Sequence, residues 1–492
     1  MLITMQEYPW IVIIILLPLS AAILSFLFPR RVKLLGLLLA LSVIAAVAGL
    51  AWQVIEHGAQ RYAIGGWAAP LGIELYADGL SLLMLMVTAL VCLGVSIYST
   101  GYFNRAYFRR SRAIYFWPLW MFLWTALNAL FLSSDIFNLY VTLELLGLSA
   151  VALVALAGGA DALTSAIRYL FVNLLGSLFY LAGVVLLYHR FGSLDIAILS
   201  QHIMSQQMAP SPAVWAAAGL ISAGLLLKTA LFPMHFWLPP AHASAPGPVS
   251  ALLSALVVKA SFYILLRLWL EIFPVESPVP GQLLGVLGSI AIFWGGIQAL
   301  RQMRLKMLIA YSTVAQIGYL FLAFPLASYI AWKGMFFLLI SHALAKTAMF
   351  MAAGNILHFG GHDRIKDFDH VVQYQPLTSA AFALAGISIM GLPPSGGFIG
   401  KWLLLEAAVN SGQWWLVIII ILGSLLAAAY IFKVIGFAFT QSEMSHQTRK
   451  VPVQMQWTAL ALALAAVLLG LIAPWPLALM DIGLPFGEGG SG

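Results

Sequence analysis

Six ionisable side chains stand inside long apolar runs: Glu144, Lys228, Lys259, His342, Lys346 and Lys401. A lone charge at a bilayer centre costs at least ~2.5–3.5 kcal/mol. Six of them facing lipid would cost on the order of 15 kcal/mol, more than the net stability of a typical fold. They must therefore face the protein interior, paired or hydrated. Carboxylate, ammonium and imidazole all titrate, so the chemistry such a set can do when water joins it is proton transfer.

Two stretches sharpen that reading. The first runs from Leu225 to Ser250. It carries Lys228 and then meets Pro233, Pro239, Pro240, Pro246 and Pro248, with His235 and His242 among them. The second runs from Gly391 to Lys401 and contains Pro393 and Pro394. Proline inside a helix removes a donor and clashes with the preceding turn. In lipid, a broken backbone survives only where protein or a water-filled cavity satisfies it. A lysine beside each break therefore points to an ion path at membrane depth. The alternatives are a plain loop with Lys228 snorkelling to the interface, and a packing kink at Pro393, which would leave Lys401 unexplained.

Glu144 is the only acid deep in the first half of the chain, and Lys228 is its natural partner. At 4 Å and an effective dielectric of 20, such a pair is worth ~4 kcal/mol. Burial favours loss of the lysine proton, and a nearby carboxylate opposes it. A pair whose carboxylate can withdraw is thus a proton switch, and one that cannot is a static ion pair. His342 and Lys346 lie four residues apart and share a helix face, which suits a relay. A metal is not expected, because no second histidine sits one turn away.

The elements that hold these groups follow from composition. Of 492 residues, 62% are hydrophobic and 8% charged, and the mean hydropathy is +0.97. That is a polytopic membrane protein. Apolar runs fit spans at roughly 9–29, 34–55, 79–102, 113–133, 135–157, 165–188, 213–232, 247–270, 281–300, 306–326, 331–356, 377–404, 414–438 and 455–478. The expected fold is all-α with about 14 transmembrane helices, the seventh and twelfth broken. Glu7 precedes the first run and no positive segment does, so that run reads as a retained span. The tail from Gly487 to Gly492 reads as disordered.

Basic residues alternate with the spans. Arg30, Arg31 and Lys33, then Arg105, Arg109, Arg110 and Arg112, then Arg168, Arg301, Arg304 and Lys306, Arg364 and Lys366, and Arg449 and Lys450 fall on one side. The other side holds little beyond Arg61, Arg190 and acids such as Glu276. The positive-inside rule places the basic loops in the cytoplasm and both termini outside the plasma membrane. The net charge of +7 thus reports topology rather than nucleic-acid binding. The single cysteine, Cys92, excludes a disulfide framework or thiolate site. No nucleotide fingerprint or cofactor ligand set is visible, so no cofactor and no catalytic centre are expected in this chain. The broken helices suggest halves related by a repeat, helices four to eight mirroring nine to thirteen. The expected units are 1–112, 113–272, 281–440 and 441–492.

Glu144 in the fifth helix, Lys228 in a broken seventh, the run Phe236-Trp237-Leu238-Pro239-Pro240-Ala241-His242, Lys259, His342 and Lys401 together resemble the antiporter-like subunits of respiratory complex I, Mrp cation/proton antiporters and membrane-bound hydrogenases. The likeness covers about residues 75–440. The run from Ser134 to Tyr140 and the short C-terminus look most like the Mrp D-type branch. The resemblance implies fourteen helices with two inverted five-helix repeats. It implies a Glu144–Lys228 coupling pair, Lys259 and His342 on a central hydrated axis, Lys346 near that axis and Lys401 at the exit. Lysine at this last position departs from members that carry glutamate there. It also implies work inside a hetero-oligomer of membrane subunits, moving H⁺ and exchanging Na⁺ or K⁺, with any redox centre elsewhere, as in an NADH:quinone oxidoreductase-like or hydrogenase-like translocase. Sodium would want an oxygen cage, and little beyond Glu144, Asp135 and carbonyls at the breaks offers one. Two other functions compete: a stand-alone secondary carrier, and a membrane subunit that energises a separate catalytic partner, as in inorganic carbon uptake.

Overall fold

The computed structural model describes residues 9–103, 110–205, 211–273, 278–368, 371–440 and 449–483. The expectations placed on Glu7, Arg105, Arg109, Glu276 and the 487–492 tail fall outside these residues. The chain begins with α1 (Trp10–Leu27) and α2 (Val32–His57), then a small hairpin of β1 (Gln60–Ala63) and β2 (Glu74–Ala77). It continues through α3 (Gly79–Tyr102), α4 (Arg110–Leu132), α5 (Ile136–Ala155), α6 (Ala160–Phe191) and a short α7 (Ile196–Ser205). The seventh crossing is α8 (Pro212–Thr229) followed by α9 (Leu238–Ser244), and the eighth is α10 (Gly247–Leu252), a π turn and α11 (Val258–Glu271). Next come α12 (Val279–Arg301), α13 (Leu305–Leu320) with α14 (Ala323–Leu326), and α15 (Tyr329–Gly360). The chain ends with α16 (Val371–Tyr374), α17 (Pro376–Met390), α18 (Gly396–Asn410), α19 (Trp414–Ala438), α20 (Val453–Leu468) and α21 (Pro474–Leu479).

Among the described residues, 12 spans are long and apolar enough to cross a membrane, and Pro376–Met390 and Val453–Leu468 are shorter apolar helices in the remaining two predicted runs. The fold is an all-α polytopic membrane protein. Between α2 and α3 the chain instead forms the β1–β2 hairpin. The pairing sets Arg61 opposite Tyr76 and Ala63 opposite Glu74.

Burial grades inward. An 18-residue window in each of the spans Gly247–Glu271 and Tyr329–Gly360 is wholly buried, whereas only about a third of the Trp10–Leu27 and Trp414–Ala438 windows is. The central helices are therefore the ones that carry Lys259, His342 and Lys346. Helix ends follow local chemistry. Asp78 and Asp135 cap α3 and α5, accepting from Ser81 N and Asn138 N at 2.9 and 2.7 Å. Burial holds the Asp135 carboxyl above its usual range despite that cap.

A geometric repeat is visible. Arg110–Leu132 recurs as Val279–Arg301, Ala160–Phe191 as Tyr329–Gly360, and the bridge Asp135–Asp195 as Arg304–Arg364; in every case the residue number rises by 169. Gly192 and Gly361, the same distance apart, both end their helices in the left-handed conformation, with φ of 68° and 74°. In this register Asn173 corresponds to His342 and Ser177 to Lys346.

Candidate functional site

Lys228 lies in the last turn of α8, where the chain leaves helical geometry. Ala230 takes φ 60°, and the Phe232–Pro233 peptide is cis. The break frees carbonyls, and Trp237 answers one by donating from Nε1 to Leu227 O at 3.0 Å. The Trp237 ring is stacked on Tyr169 at 4.4 Å. Close approach of α5, α6 and α8 leaves a channel for the lysine stem. A Cβ on Gly176 would lie 3.0 Å from both Lys228 Cγ and Gly224 O. At the end of that stem Nζ donates to Glu144 Oε1 and Asn173 Oδ1, each at 2.8 Å. Ser177 donates to Glu144 Oε1, and Asn173 Nδ2 reaches Oε2 at 3.5 Å. The expected partners thus meet, inside an amide and hydroxyl frame that sequence reasoning did not identify.

Polar steps continue from this pair. A water-sized cavity of about 10 Å³ touches Lys228, Asn173, Tyr169 and Ser261. Thr229 Oγ1 donates to Ser261 Oγ at 3.0 Å, two residues from Lys259. Lys259 is fully buried, and its ammonium donates to Ser254 O, the carbonyl loosened by the π turn. Ser254 Oγ meets Thr313 Oγ1 at 2.9 Å. One residue back on α13, Ser312 accepts from Lys346, which also donates to Ile309 O at 3.0 Å. His342 lies one turn before Lys346, buried, and its Nε2 has no protein partner.

Ser341 and Ser388 then touch at 2.7 Å, carrying the polar line to the second break. Lys401 sits there with its ammonium on the last carbonyls of α17: Ile389 O at 2.9 Å and Met390 O at 3.1 Å. Ser424 Oγ at 3.2 Å and the Tyr319 ring at 4.5 Å complete its surroundings. Orphan carbonyls and the negative end of a helix both favour a cation. Gly391, at φ 81°, closes α17, and Pro393 and Pro394 form the turn into α18. Glu406 lies exposed on α18.

The remaining expected residues lie beside the line. Pro239 sits at the start of α9, where its missing donor is harmless. His235 Nε2 accepts from Trp294 Nε1 at 3.1 Å, away from the lysines. His242 is fully buried, stacked on Phe350 at 4.8 Å, and neither ring nitrogen has a protein partner. Next to it Lys306 donates to Ala243 O at 3.3 Å and to Ala245 O. Sequence reasoning placed Lys306 in a basic loop, whereas the structure buries it to 2% exposure. Asp78 and Arg267, also buried, were missed as well. Among the described residues no group of three or more His, Cys, Asp or Glu could hold a metal.

Comparisons with known proteins agree with this architecture. Residues 133–427 match the family model described as NADH:quinone oxidoreductase/Mrp antiporter, TM, and residues 64–110 match that of the NADH-ubiquinone oxidoreductase (complex I) chain 5 N-terminus. The N subunit of the NADH-quinone oxidoreductase of Desulforudis audaxviator is 34% identical, over 94% of this chain and 95% of that one. The D-type subunit of the Na(+)/H(+) antiporter of Bacillus subtilis is 28% identical, over 95% and 94%. A chain of the archaeal membrane-bound sulfane sulfur reductase, a respiratory membrane complex, superposes with a TM-score of 0.88 at 27% identity, over 95% of this chain and 96% of that one.

Proposed function

The chain belongs to the NADH:quinone oxidoreductase/Mrp antiporter transmembrane family, and on that footing we propose that it carries protons along the buried line from Glu144 through Lys228, Lys259, Lys346 and His342 to Lys401. It is a multi-pass membrane subunit of the proton-translocating type found in Mrp or complex I-like assemblies. The observation that carries the finer reading is the contact of Lys228 Nζ with Glu144 Oε1 at 2.8 Å, made at a broken helix end and shared with Asn173.

In the closed pair the carboxylate stabilises the lysine charge. When Glu144 withdraws, the buried amine yields its proton to water leading toward Lys259. Hydroxyls of Thr229, Ser261, Ser254, Thr313 and Ser312 bridge the gaps between titrating groups. Lys401, on the carbonyls of α17, delivers the proton at the far end. The recurrence at 169 residues supports dividing the working core into 113–272 and 281–440, flanked by 1–112 and 441–492. Basic loops gathered at one end, with Arg304 bridged to Arg364 and Arg449 N bonded to Phe359 O, support a cytoplasmic location for that end. Both termini then lie outside the plasma membrane. Other membrane subunits and an exchanged Na⁺ or K⁺, or a redox arm, supply the driving force.

The test is proton uptake by vesicles containing the assembled complex. Lys228→Met and Glu144→Gln each abolish uptake while the partner subunits still co-purify. Uptake at the parental rate in either variant would refute the line. A second reading, a subunit that energises a separate catalytic partner, is favoured by the likeness to the sulfane sulfur reductase chain. Mass spectrometry of the natively co-purifying chains separates the two.

A further inference from the structure

From Lys259 on the line, α11 carries a further set of polar groups toward its C-terminal end. Lys259, Tyr263, Arg267 and Glu271 recur every four residues. That spacing places them on one helix face, about 6 Å of rise apart. Arg267, 5% exposed, is the hub. Its Nη2 meets Asp78 Oδ1 at 2.5 Å, its Nη1 meets Glu271 Oε1 at 2.9 Å, and its Nε donates to the Tyr263 hydroxyl at 2.9 Å. Tyr263 donates to Phe131 O at 3.1 Å and lies 3.2 Å from Ser81 Oγ.

Two further observations point outward. Asp78 is fully buried, yet its Oδ2 has no protein partner. Beside the cluster lies a cavity of about 20 Å³, lined by Arg61, Tyr76, Ser81, Ser134, Arg267 and Glu271 among others. A cavity needs roughly 10–15 Å³ to hold a water, so this one has room. The Glu271 side chain is 24% exposed and that of Arg61 47%, so the cluster reaches solvent. It does so at the end of the molecule away from Arg304, Lys306 and Asp363. The C-terminal segment closes over it: Gly79 N donates to Ile482 O at 2.9 Å, and Tyr76 to Gly483 O at 3.4 Å. A mere brace has little reason to be ionic here, since apolar packing of the same volume is often as stable as a buried charge triad.

We propose that Tyr263, Arg267, Asp78 and Glu271 form a non-cytoplasmic proton mouth for the first half of the molecule, connecting Lys259 to outside solvent through water in this cavity. The proposal rests on the proton-carrying reading above. In the outward step the Lys259 ammonium gives its proton to water beside Tyr263, and the Glu271 carboxylate takes it up. Glu271 then releases it to outside water, and Lys259 stays a neutral amine until it is reprotonated from the line. Arg267 keeps its charge throughout and acts as a positioning residue for both carboxylates.

The experiment uses the assembled complex in vesicles. Cys92 is the only cysteine, so Cys92→Ala gives a thiol-free chain. In that background Ser134→Cys reacts with a membrane-impermeant thiol reagent added outside, and labelling slows proton transfer. Glu271→Gln lowers transfer at least tenfold with the complex intact, and Glu271→Asp restores it with a shifted dependence on outside pH, which a brace would not give. Parental transfer in Glu271→Gln overturns the mouth. So does a Ser134→Cys thiol that reacts only from the cytoplasmic side, and this readout decides the matter if Glu271→Gln fails to assemble. Lys228→Met separates the two levels. If it stops transfer and Glu271→Gln does not, only the mouth falls; if it does not stop transfer, the underlying line falls.

Discussion

Asn173 Oδ1 accepts from Lys228 Nζ at 2.8 Å, the same distance at which the lysine meets Glu144. The amide keeps a polar partner on the ammonium whichever way the carboxylate moves. Asn173→Leu removes that partner and leaves a buried donor short of an acceptor, a penalty of about 1–3 kcal/mol. Proton transfer by the assembled complex falls about tenfold, although no titrating group has changed. Asn173→Asp, which places a second carboxylate on the lysine, slows transfer as well by holding the charge in place.

Gly147 tests the same geometry without replacing any polar side chain. A Cβ there would collide with the Asn173 side chain. Gly147→Ala therefore pushes the amide off Lys228 and costs transfer as much as Asn173→Leu does. Adding Asn173→Ser makes room, keeps an acceptor and recovers part of the loss. Vesicle uptake for Gly147→Ala, Asn173→Ser and the double variant forms a cycle whose coupling term measures the contact.

Glu144, Lys228 and the two proline breaks could be read from the sequence because each violates a rule of lipid-facing helices. Asn173, Ser177, Ser254, Ser312 and Thr313 could not. Each breaks no rule, since small polar residues are common inside buried helices and only the register between helices shows which ones face a lysine. Lys306 was misread for the opposite reason. It follows Arg301 and Arg304, and a basic cluster at a span end reads as a topology signal, whereas here the third member folds inward. The β1–β2 hairpin escaped notice because its pairing is short and its residues alternate poorly.

Gly391 and Ala230 occupy matching places at the two breaks, with φ of 81° and 60°. An L-residue in that region costs about 1–2 kcal/mol. Gly391→Ala incurs that cost and also sets a Cβ 2.7 Å from Lys401 Cδ, which displaces the ammonium from Ile389 O and Met390 O. Transfer falls sharply. Ala230→Gly relieves the same penalty beside Lys228 and raises the thermal midpoint by about 1–2 °C. Thermal melts of the two variants in detergent move in opposite directions.

Lys306 joins α9 to the start of α13. Its Nζ holds Ala243 O and Ala245 O at the end of α9, and its backbone N donates to Asp363 Oδ2 at 3.4 Å. Asp363 also pairs with Arg304 Nε at 2.9 Å and accepts from Leu305 N at 2.7 Å through its carbonyl. The broken seventh crossing is thereby tied to the start of α13. Lys306→Met leaves the two carbonyls without their donor, a loss of about 1–3 kcal/mol concentrated on a seven-residue helix. Hydrogen exchange in the 238–244 backbone then accelerates at least tenfold, while exchange in α5 and α6 stays unchanged. Lys306→Arg keeps a donor within reach and preserves most of the protection. Uniform acceleration across the chain would mean that Lys306 supports global stability rather than clamping α9.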